Sequence, residues 1–258
     1  MNDKLLIPLR IKNASLFIAD WLSCYEKLVD GIVVVDNGSD DGTYEILKAH
    51  PLVLEIARTE GFHEGRDFQL LLDMLKKHSP DWILVVDADE VFEERLTRKQ
   101  LQKMKHKRVS HYTFRRFHMF GDRDHYMAPP EILKSYCNFG DRSLFRFSEK
   151  LYVPDKQIHT SIMGRPKLFH QSDYRILHLP FLYKEYRMKL YENYLNIDRD
   201  PRNTGTYKRD IHILSHPDTI KRYPFRKRPI AIKTEFYVYN VLSLVNSIKR
   251  KLKTFTGK

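Results

Sequence analysis

The first 90 residues of the chain alternate between short apolar runs and longer amphipathic stretches. Continuous apolar runs are typical of strands that are covered on both faces of a sheet, whereas an apolar residue at every third or fourth position predicts a helix. On these criteria we predict strands at residues 5–9, 32–36, 52–57 and 82–87, and helices at residues 16–28, 43–49 and 64–77. This βαβαβαβ order predicts an α/β fold with a mostly parallel sheet flanked by helices.

The pattern is less regular after residue 90. It predicts helices at residues 97–105, 183–196 and 235–251, and strands at residues 110–120, 143–147 and 175–179. The 258-residue chain is long enough for one large α/β domain with an appendage. We therefore expect a domain over residues 1–200 and a C-terminal extension with helical character over residues 201–258.

Basic residues are concentrated in that extension. Residues 221–258 contain eleven Lys and Arg against the single acid Glu235, which is +10 of the net charge of +12. The nearly neutral remainder argues against a nucleic-acid partner. Two interpretations of residues 221–258 stay open: a helix that binds an anionic membrane surface, or a helix that packs on the domain and leaves its charges in water.

No export signal or membrane span is recognisable in the sequence. Pro8 and Arg10 interrupt the N-terminal apolar run, and no uncharged apolar stretch of about 18 residues occurs. Two cysteines are too few for a disulfide framework. We therefore expect a cytoplasmic protein, with peripheral attachment to the inner face of the membrane if the basic extension binds it.

The most informative candidate chemistry lies at the end of the predicted strand 82–87. Asp87, Asp89 and Glu90 follow its apolar residues, and strand-like alternation would point Asp87 and Asp89 to the same side, where they could bind one divalent cation. The alternative is that these acids only end a strand. Asp36 ends a second strand, and the chain lacks the glycine-rich loops of dinucleotide-binding proteins and P-loop ATPases.

Four segments together resemble the family 2 glycosyltransferases of the GT-A fold, a Rossmann-like fold of nucleotide-diphospho-sugar transferases. They are Arg10–Asn13, Val33–Thr43, Gly65–Asp67 and Val85–Glu90, and the resemblance covers residues 4–95 well and continues loosely to 197. It implies a nucleotide-binding half over residues 1–95 and an acceptor-side half over 96–200. It also implies metal-dependent, inverting transfer of a sugar from a nucleotide-sugar, most simply a UDP-sugar, to a glycan or lipid-linked acceptor in cell-surface polysaccharide or glycoconjugate synthesis.

The resemblance also implies roles for individual residues. Asp89 would bind Mn²⁺ or Mg²⁺, and His178 would complete the metal site, unless it is only a buried histidine at the end of a strand. His159 is a second candidate for a metal or acceptor contact. The residues expected to contact the nucleotide-sugar are Arg10, Lys12, Asp36, Ser39, Arg66 and Asp87. The chain departs from the family at Asn13-Ala14, where a glutamate often follows the asparagine.

An inverting transfer needs a carboxylate that accepts the proton of the attacking hydroxyl. Asp141 is our first candidate, because the resemblance places it on the acceptor-side strand, although it could equally pair with Arg142 or Arg146. Glu131, after two prolines, is the second candidate.

Two other functional classes remain for comparison. A nucleotidyltransferase that makes nucleotide-sugars would share the sheet and the metal, but it usually has a glycine-rich loop after the first strand, where this chain has none. A catalytically inactive family member could act as a glycan-binding or membrane-bound interaction module, and it would release no nucleotide from any donor.

Overall fold

A computed structural model describes residues 3–105, 109–127, 143–164, 169–197, 208 and 220–222. The strands in these ranges are β1 (Leu5–Ile11), β2 (Gly31–Asp36), β3 (Val53–Arg58), β4 (Trp82–Leu84), β5 (Glu90–Phe92), β6 (His111–His118), β7 (His125–Met127), β8 (Ser143–Arg146), β9 (Phe169–His178) and β10 (Ile220–Arg222). The helices are α1 (Ile18–Tyr25), α2 (Thr43–Ala49), α3 (Glu64–His78), α4 (Arg98–Met104) and α5 (Lys184–Ile197), and a 3₁₀ turn spans Pro180–Leu182.

Eight strands form one mixed sheet in the order β3-β2-β1-β4-β8-β6-β9-β5. The first four run parallel to one another, and β6 runs parallel to β9. The strands β8 and β5 are antiparallel to their neighbours. The predicted α/β class, with a mostly parallel sheet flanked by helices, is confirmed.

The alternation of side chains along β2 shows why the strand is apolar throughout. Ile32 and Val34 point to one face and join the core that contains helix α1, whereas Val33 and Val35 point to the other face and pack with helix α3. Every residue of β2 is buried. A strand covered on both sides cannot show polar alternation, and this is the pattern that predicted a parallel sheet.

Short polar contacts fix the ends of two helices. Thr97 and Gln100 form a capping box at the start of α4, in which the side chain of each residue accepts a hydrogen bond from the backbone N–H of the other. At the start of α3, the ring of His63 accepts a hydrogen bond from the backbone N–H of Arg66. Helix α3 ends at His78 and is followed by Ser79, which has a left-handed backbone conformation with φ 47°. The first turn of α3 lies beside the carboxyl end of β1, where Arg10 donates to Asp67.

The structure corrects the prediction for the acidic segment. The strand β4 ends at Leu84 instead of residue 87, and the backbone N–H of Glu90 donates to the carbonyl of Asp87 at 3.1 Å. Residues 87–90 therefore form a turn, and Glu90 begins β5 instead of ending β4. The argument from strand alternation for Asp87 and Asp89 does not apply, because the chain is not extended there.

Little of the C-terminal extension lies among the described residues. Residues 220–222 form β10, which pairs antiparallel with β7. The predicted helix at 235–251 lies outside the described residues, so the proposed helical and membrane-binding character of the extension stays a prediction. In the part of the chain that the structure describes, no helix is long and apolar enough to span a membrane.

Candidate active site

The loops that follow β1 and β2 are tied together by hydrogen bonds. The side chain of Asn13 donates to the carboxylate of Asp40 at 2.8 Å, and the backbone N–H of Asp40 donates back to the side-chain oxygen of Asn13 at 3.0 Å. The backbone N–H of Asn13 donates to Ser39 Oγ at 2.9 Å, and that of Ala14 donates to Thr43 Oγ1 at 2.9 Å. Asn13 adopts φ 49°, a conformation that asparagine tolerates better than most residues. The two loops therefore form one rigid rim.

Asp36 lies at this rim with its side chain fully buried at the end of β2. Its carboxylate accepts hydrogen bonds from the backbone N–H of Ser39 at 3.1 Å and from Arg58 Nε at 3.0 Å. Arg58 also donates to the carbonyl of Ser39 and stacks on the ring of Tyr44. Arg58 therefore compensates the charge of Asp36 and holds the carboxylate in place, a role that the sequence did not suggest.

Two arginines predicted to contact the nucleotide share one buried carboxylate, that of Asp67. Its Oδ2 accepts from Arg10 Nε at 2.9 Å, and its Oδ1 accepts from Arg66 Nε at 2.9 Å and Nη2 at 2.7 Å. The Arg10 guanidinium also stacks over Phe62 at 4.7 Å, and its buried Nη2 has no hydrogen-bond partner among the described residues. Lys12, also predicted at this site, is exposed directly after β1. The structure thus adds Asp67, which positions both guanidinium groups.

The acidic turn after β4 is fixed mainly by its backbone and by Glu90. The carbonyl of Asp87 accepts from Trp21 Nε1 at 2.8 Å. The fully buried Glu90 carboxylate accepts from the backbone N–H of Asp87 at 3.1 Å and from Arg116 Nη1 at 2.9 Å. Tyr25 donates to the carbonyl of Glu90 at 3.0 Å. Glu90 therefore holds the shape of the turn and leaves Asp87 and Asp89 as the carboxylates that can face a ligand.

Asp89 and His178, the two residues that the family resemblance implies as metal ligands, lie side by side. Asp89 Oδ2 is 3.5 Å from His178 Nε2, and the Leu179 N–H donates to the carbonyl of Asp89 at 2.8 Å. The antiparallel pairing of Glu90 with His178 between β5 and β9 produces this contact. On the other side, His178 Nδ1 is 2.7 Å from Nδ1 of His118, its register partner on β6.

Burial disfavours the charged form of both histidines. Burial lowers the pKa of His178, and although Asp89 opposes this effect the pKa stays below its ordinary value. Burial likewise lowers the pKa of His118 well below 6.5, and a proton on His178 would lower it further. The tautomer that leaves His178 Nε2 free for a metal carries its proton on Nδ1, where His118 Nδ1 can accept it. Such a hydrogen bond is the usual support of a metal-binding histidine.

This pair has the spacing that a divalent cation needs. Two ligands that each lie about 2.1 Å from one ion are about 3 to 3.5 Å apart, which matches the distance between Asp89 Oδ2 and His178 Nε2. Among the described residues, no group of three His, Cys, Asp or Glu gathers around one point. The residues therefore fit a cation that takes two ligands from the protein and its remaining ligands from substrate and water.

The predicted residues share one edge of the sheet. Strands β1, β2 and β4 run parallel, and β9 runs in the same direction across two antiparallel steps, so their carboxyl ends lie together. That edge carries Arg10 of β1, Asp36 at the end of β2, Asp87 in the turn after β4 and His178 at the end of β9. Ligands bind at this edge in open α/β sheets.

The hairpin that contains His159 packs on the start of α3. The backbone N–H groups of Glu64 and Gly65 donate to the carbonyls of Gln157 and Lys156 at 2.9 and 2.8 Å. A Cβ atom at Gly65 would lie 2.8 Å from the backbone nitrogen of Lys156, so only glycine fits. His159 is exposed at φ 58°, and its contact with metal or acceptor stays a prediction. Asp141 and Glu131, the candidate bases, lie outside the described residues.

Comparison with known proteins identifies a family. Residues 17–195 match the model of glycosyl transferase family 2. The uncharacterized proteins Mb3815c of Mycobacterium bovis and Rv3786c of Mycobacterium tuberculosis are each 33% identical over 98 residues, 35% of this chain. That segment spans about a quarter of each relative, 24% of its length.

Solved structures are similar at lower identity. A crystal structure of S. aureus TarS 1–349 aligns with a TM-score of 0.48 and 13% identity over 84% of this chain and 72% of that chain. The TarS 1–349 complex with UDP-GlcNAc gives the same TM-score and identity, over 84% of this chain and 73% of that chain.

Proposed function

Because the chain belongs to glycosyl transferase family 2, we propose that it transfers a sugar from a nucleotide-sugar donor to an acceptor with the help of a divalent cation. The observation that carries this proposal is the contact between Asp89 and His178, 3.5 Å apart at the ligand-binding edge of the sheet. The two residues are far apart in the sequence, and a histidine with a purely structural role would not need an acidic turn beside it.

Arg10, Asp36 and Arg66 are the proposed contacts for the nucleotide, with Lys12, Ser39 and Asp87 nearby. The two arginines are held by Asp67 with defined orientation, and Arg10 Nη2 finds no acceptor in the described part of the chain. Oriented guanidinium groups suit the oxygens of a phosphate or a base carbonyl. UDP is the proposed nucleotide.

Asp89 and His178 are the proposed ligands of Mn²⁺ or Mg²⁺. When bound, such an ion would act as a Lewis acid and stabilise the negative charge that develops on the leaving diphosphate. A neutral imidazole beside a carboxylate is a ligand pair that favours Mn²⁺ over Ca²⁺. His118 is the proposed support of His178, since it can accept the Nδ1 proton.

In the proposed reaction, the acceptor oxygen attacks the anomeric carbon in line with the departing diphosphate, which inverts the configuration. A carboxylate takes the hydroxyl proton as the new bond forms, and Asp141 is the first candidate, followed by Glu131. We further propose a glycan or lipid-linked acceptor of a cell-surface polymer or glycoconjugate. The proposed location is the cytoplasm, with residues 221–258 binding the inner face of the membrane.

Thermal denaturation with a panel of nucleotide-sugars, with and without Mn²⁺, tests this proposal. A donor at a hundred times its dissociation constant adds about 2.7 kcal/mol to the free energy of unfolding. We expect one nucleotide class to raise the melting temperature only with Mn²⁺, and Asp89→Asn to abolish the rise. Asp124→Asn, in an exposed loop, is the matched control.

Two results would contradict parts of the proposal. If no nucleotide-sugar raises the melting temperature with Mn²⁺, donor binding is wrong. If a donor binds but no nucleoside diphosphate is released, with or without acceptors, the chain is instead the inactive family member considered above.

A further inference from the structure

Arg187, in the first turn of α5, is a cation without a carboxylate partner among the described residues. Its Nη2 donates to the hydroxyl of Tyr191 at 2.7 Å, and its guanidinium lies 4.8 Å from the Phe181 ring centre and 4.1 Å from that of Tyr191. Its Nε is out of contact with solvent and has no hydrogen-bond partner in the described part of the chain. Aromatic rings and one hydroxyl contact the guanidinium, and although burial disfavours its charge, Tyr191 and the nearby Asp89 raise the pKa of Arg187.

This arginine lies next to the proposed metal site. Phe181, which covers one side of the guanidinium, packs on the ring of His118 at 4.8 Å and on that of His178 at 5.9 Å. Arg187 is also close enough to act on His178 electrostatically: burial lowers the pKa of His178, and the charge of Arg187 lowers it further. Only one ring therefore separates Arg187 from the histidine pair.

Helix α5 also faces the acidic turn farther along its length. Burial raises the pKa of Tyr194 to about 12, and the negative charges of Asp87 and Asp89 add to this rise. Tyr194 lies about two turns beyond Arg187, which places the two side chains on the same side of the helix. One side of α5 therefore lies near both the acidic turn and the histidine pair.

Arg187 is partly buried, and its solvent-excluded Nε has no acceptor among the described residues, which is costly unless an acceptor is supplied by a ligand. Tyr191 can satisfy one donor, but it cannot neutralise the charge. A cation on Asp89 and His178 would hold its anionic ligand near Arg187, because Phe181 contacts both His178 and Arg187. A diphosphate bound there would offer direct acceptors to Arg187, with which Asp89 interacts electrostatically but forms no ion pair among the described residues.

We infer that Arg187 binds the diphosphate of the donor and stabilises it as the leaving group, an inference that rests on the proposed function. In the transfer, the bond between the acceptor oxygen and the anomeric carbon forms while the bond from that carbon to the diphosphate oxygen breaks. The electron pair of the broken bond stays on the diphosphate, and the hydroxyl proton passes to the catalytic base. Arg187 donates to the oxygen that gains this charge, so it is a catalytic residue for departure of the nucleotide.

The test separates contact with the diphosphate from packing of the helix. UDP, GDP, CDP and dTDP are screened with Mn²⁺ on the full-length wild-type chain, and the dissociation constant of the best diphosphate is measured by calorimetry. Ligand-observed NMR measures the dissociation constant of the matching nucleoside, which lacks phosphates. The variants are R187Q, R187K and K189Q, the last of which removes one exposed charge from the same helix.

We expect R187Q to weaken diphosphate binding by about 10- to 100-fold, the usual effect of a lost charge-assisted hydrogen bond. Binding of the nucleoside should change by less than about threefold, because it does not reach Arg187. R187K keeps the charge and should lose less than R187Q, and K189Q should match the wild type. Turnover of the donor with water or acceptor should fall in R187Q even at saturating donor.

Several outcomes would overturn the inference. If R187Q weakens the diphosphate and the nucleoside equally, or weakens neither, Arg187 serves only to pack α5. Nucleoside binding also reports whether each variant is folded at the site, and R187K provides the comparison if R187Q is unstable. If the wild type binds no nucleoside diphosphate, the proposed function fails first; if it binds one and R187Q binds it as tightly, only the inference fails.

Discussion

Replacement of Asp67 by Asn removes the charge that holds Arg10 and Arg66 while keeping the size of the side chain. Asp67 is fully buried and accepts three hydrogen bonds of 2.7 to 2.9 Å from the two guanidinium groups. Arg10 is only 13% exposed, so its charge would lose its partner in a region of low dielectric constant. Arg66 is 44% exposed and keeps bonds to two backbone carbonyls, so it would lose little.

The exposed fractions of the two arginines set the expected loss of stability. Breaking a buried ion pair costs about 3 to 5 kcal/mol, whereas a largely exposed pair contributes at most about 1 kcal/mol. Asparagine still offers one acceptor oxygen, which favours the lower end of the range. We therefore expect Asp67→Asn to lower the free energy of unfolding by about 3 kcal/mol, or the melting temperature by about 6 to 12 °C.

Urea denaturation followed by circular dichroism measures this change, and calorimetry measures nucleoside diphosphate binding to the same variants. Asp73→Asn is the matched control, because it makes the same substitution on the same helix at an exposed ion pair with Lys76. The control should change stability by less than about 0.5 kcal/mol and leave nucleotide binding intact. Asp67→Asn should also weaken nucleotide binding, since both arginines lose their fixed orientation. If the two variants are equally stable, the reasoning about Asp67 is refuted.

Two further substitutions test the buried polar groups. Burial lowers the pKa of His111 to about 4, so between pH 6.5 and 4 the unfolded chain binds a proton that the folded chain does not, and stability falls as the pH falls through this range. Over that range the wild type should lose up to about 3 kcal/mol more free energy of unfolding than His111→Phe, as measured by urea denaturation at each pH. Equal dependence of stability on pH in the two proteins would count against this role of His111. Glu90→Gln should lower the free energy of unfolding by about 2 to 4 kcal/mol, because it removes the buried charge that pairs with Arg116. The control Glu94→Gln, at an exposed position, should change it by less than about 0.5 kcal/mol. Similar losses in both variants would disprove the role of Glu90.

The first, parallel half of the fold could be predicted because β1, β2 and β4 are almost entirely buried on both faces of the sheet. Such strands leave uninterrupted apolar runs in the sequence, and parallel pairing makes their carboxyl ends meet. Asp36 could be placed at the sheet edge from its position at the end of a run. The length of β4 could not be predicted, because Val85 and Val86 are as apolar as the residues of a buried strand and nothing in the local sequence shows that the strand ends before them.

The residues that sequence analysis missed depend on contacts between distant segments. His118 meets His178 only through the parallel pairing of β6 with β9, and our prediction began the second strand at residue 175 instead of Phe169. The first residues of β9, Phe-His-Gln-Ser-Asp-Tyr, are mostly polar and contain no apolar run. Asp67 resembles an ordinary acid in the first turn of a helix, and only the fold shows that it is buried between two arginines.

Titration of Mn²⁺ into the protein with a nucleoside diphosphate, followed by electron paramagnetic resonance, tests the proposed metal site most directly. We predict one tight site in the wild type, and a loss of affinity of at least about tenfold in both Asp89→Asn and His178→Ala. His118→Phe should weaken Mn²⁺ binding less than His178→Ala does, since it removes only the support of His178. Mn²⁺ affinity that is unchanged in Asp89→Asn and His178→Ala would contradict the proposed metal site.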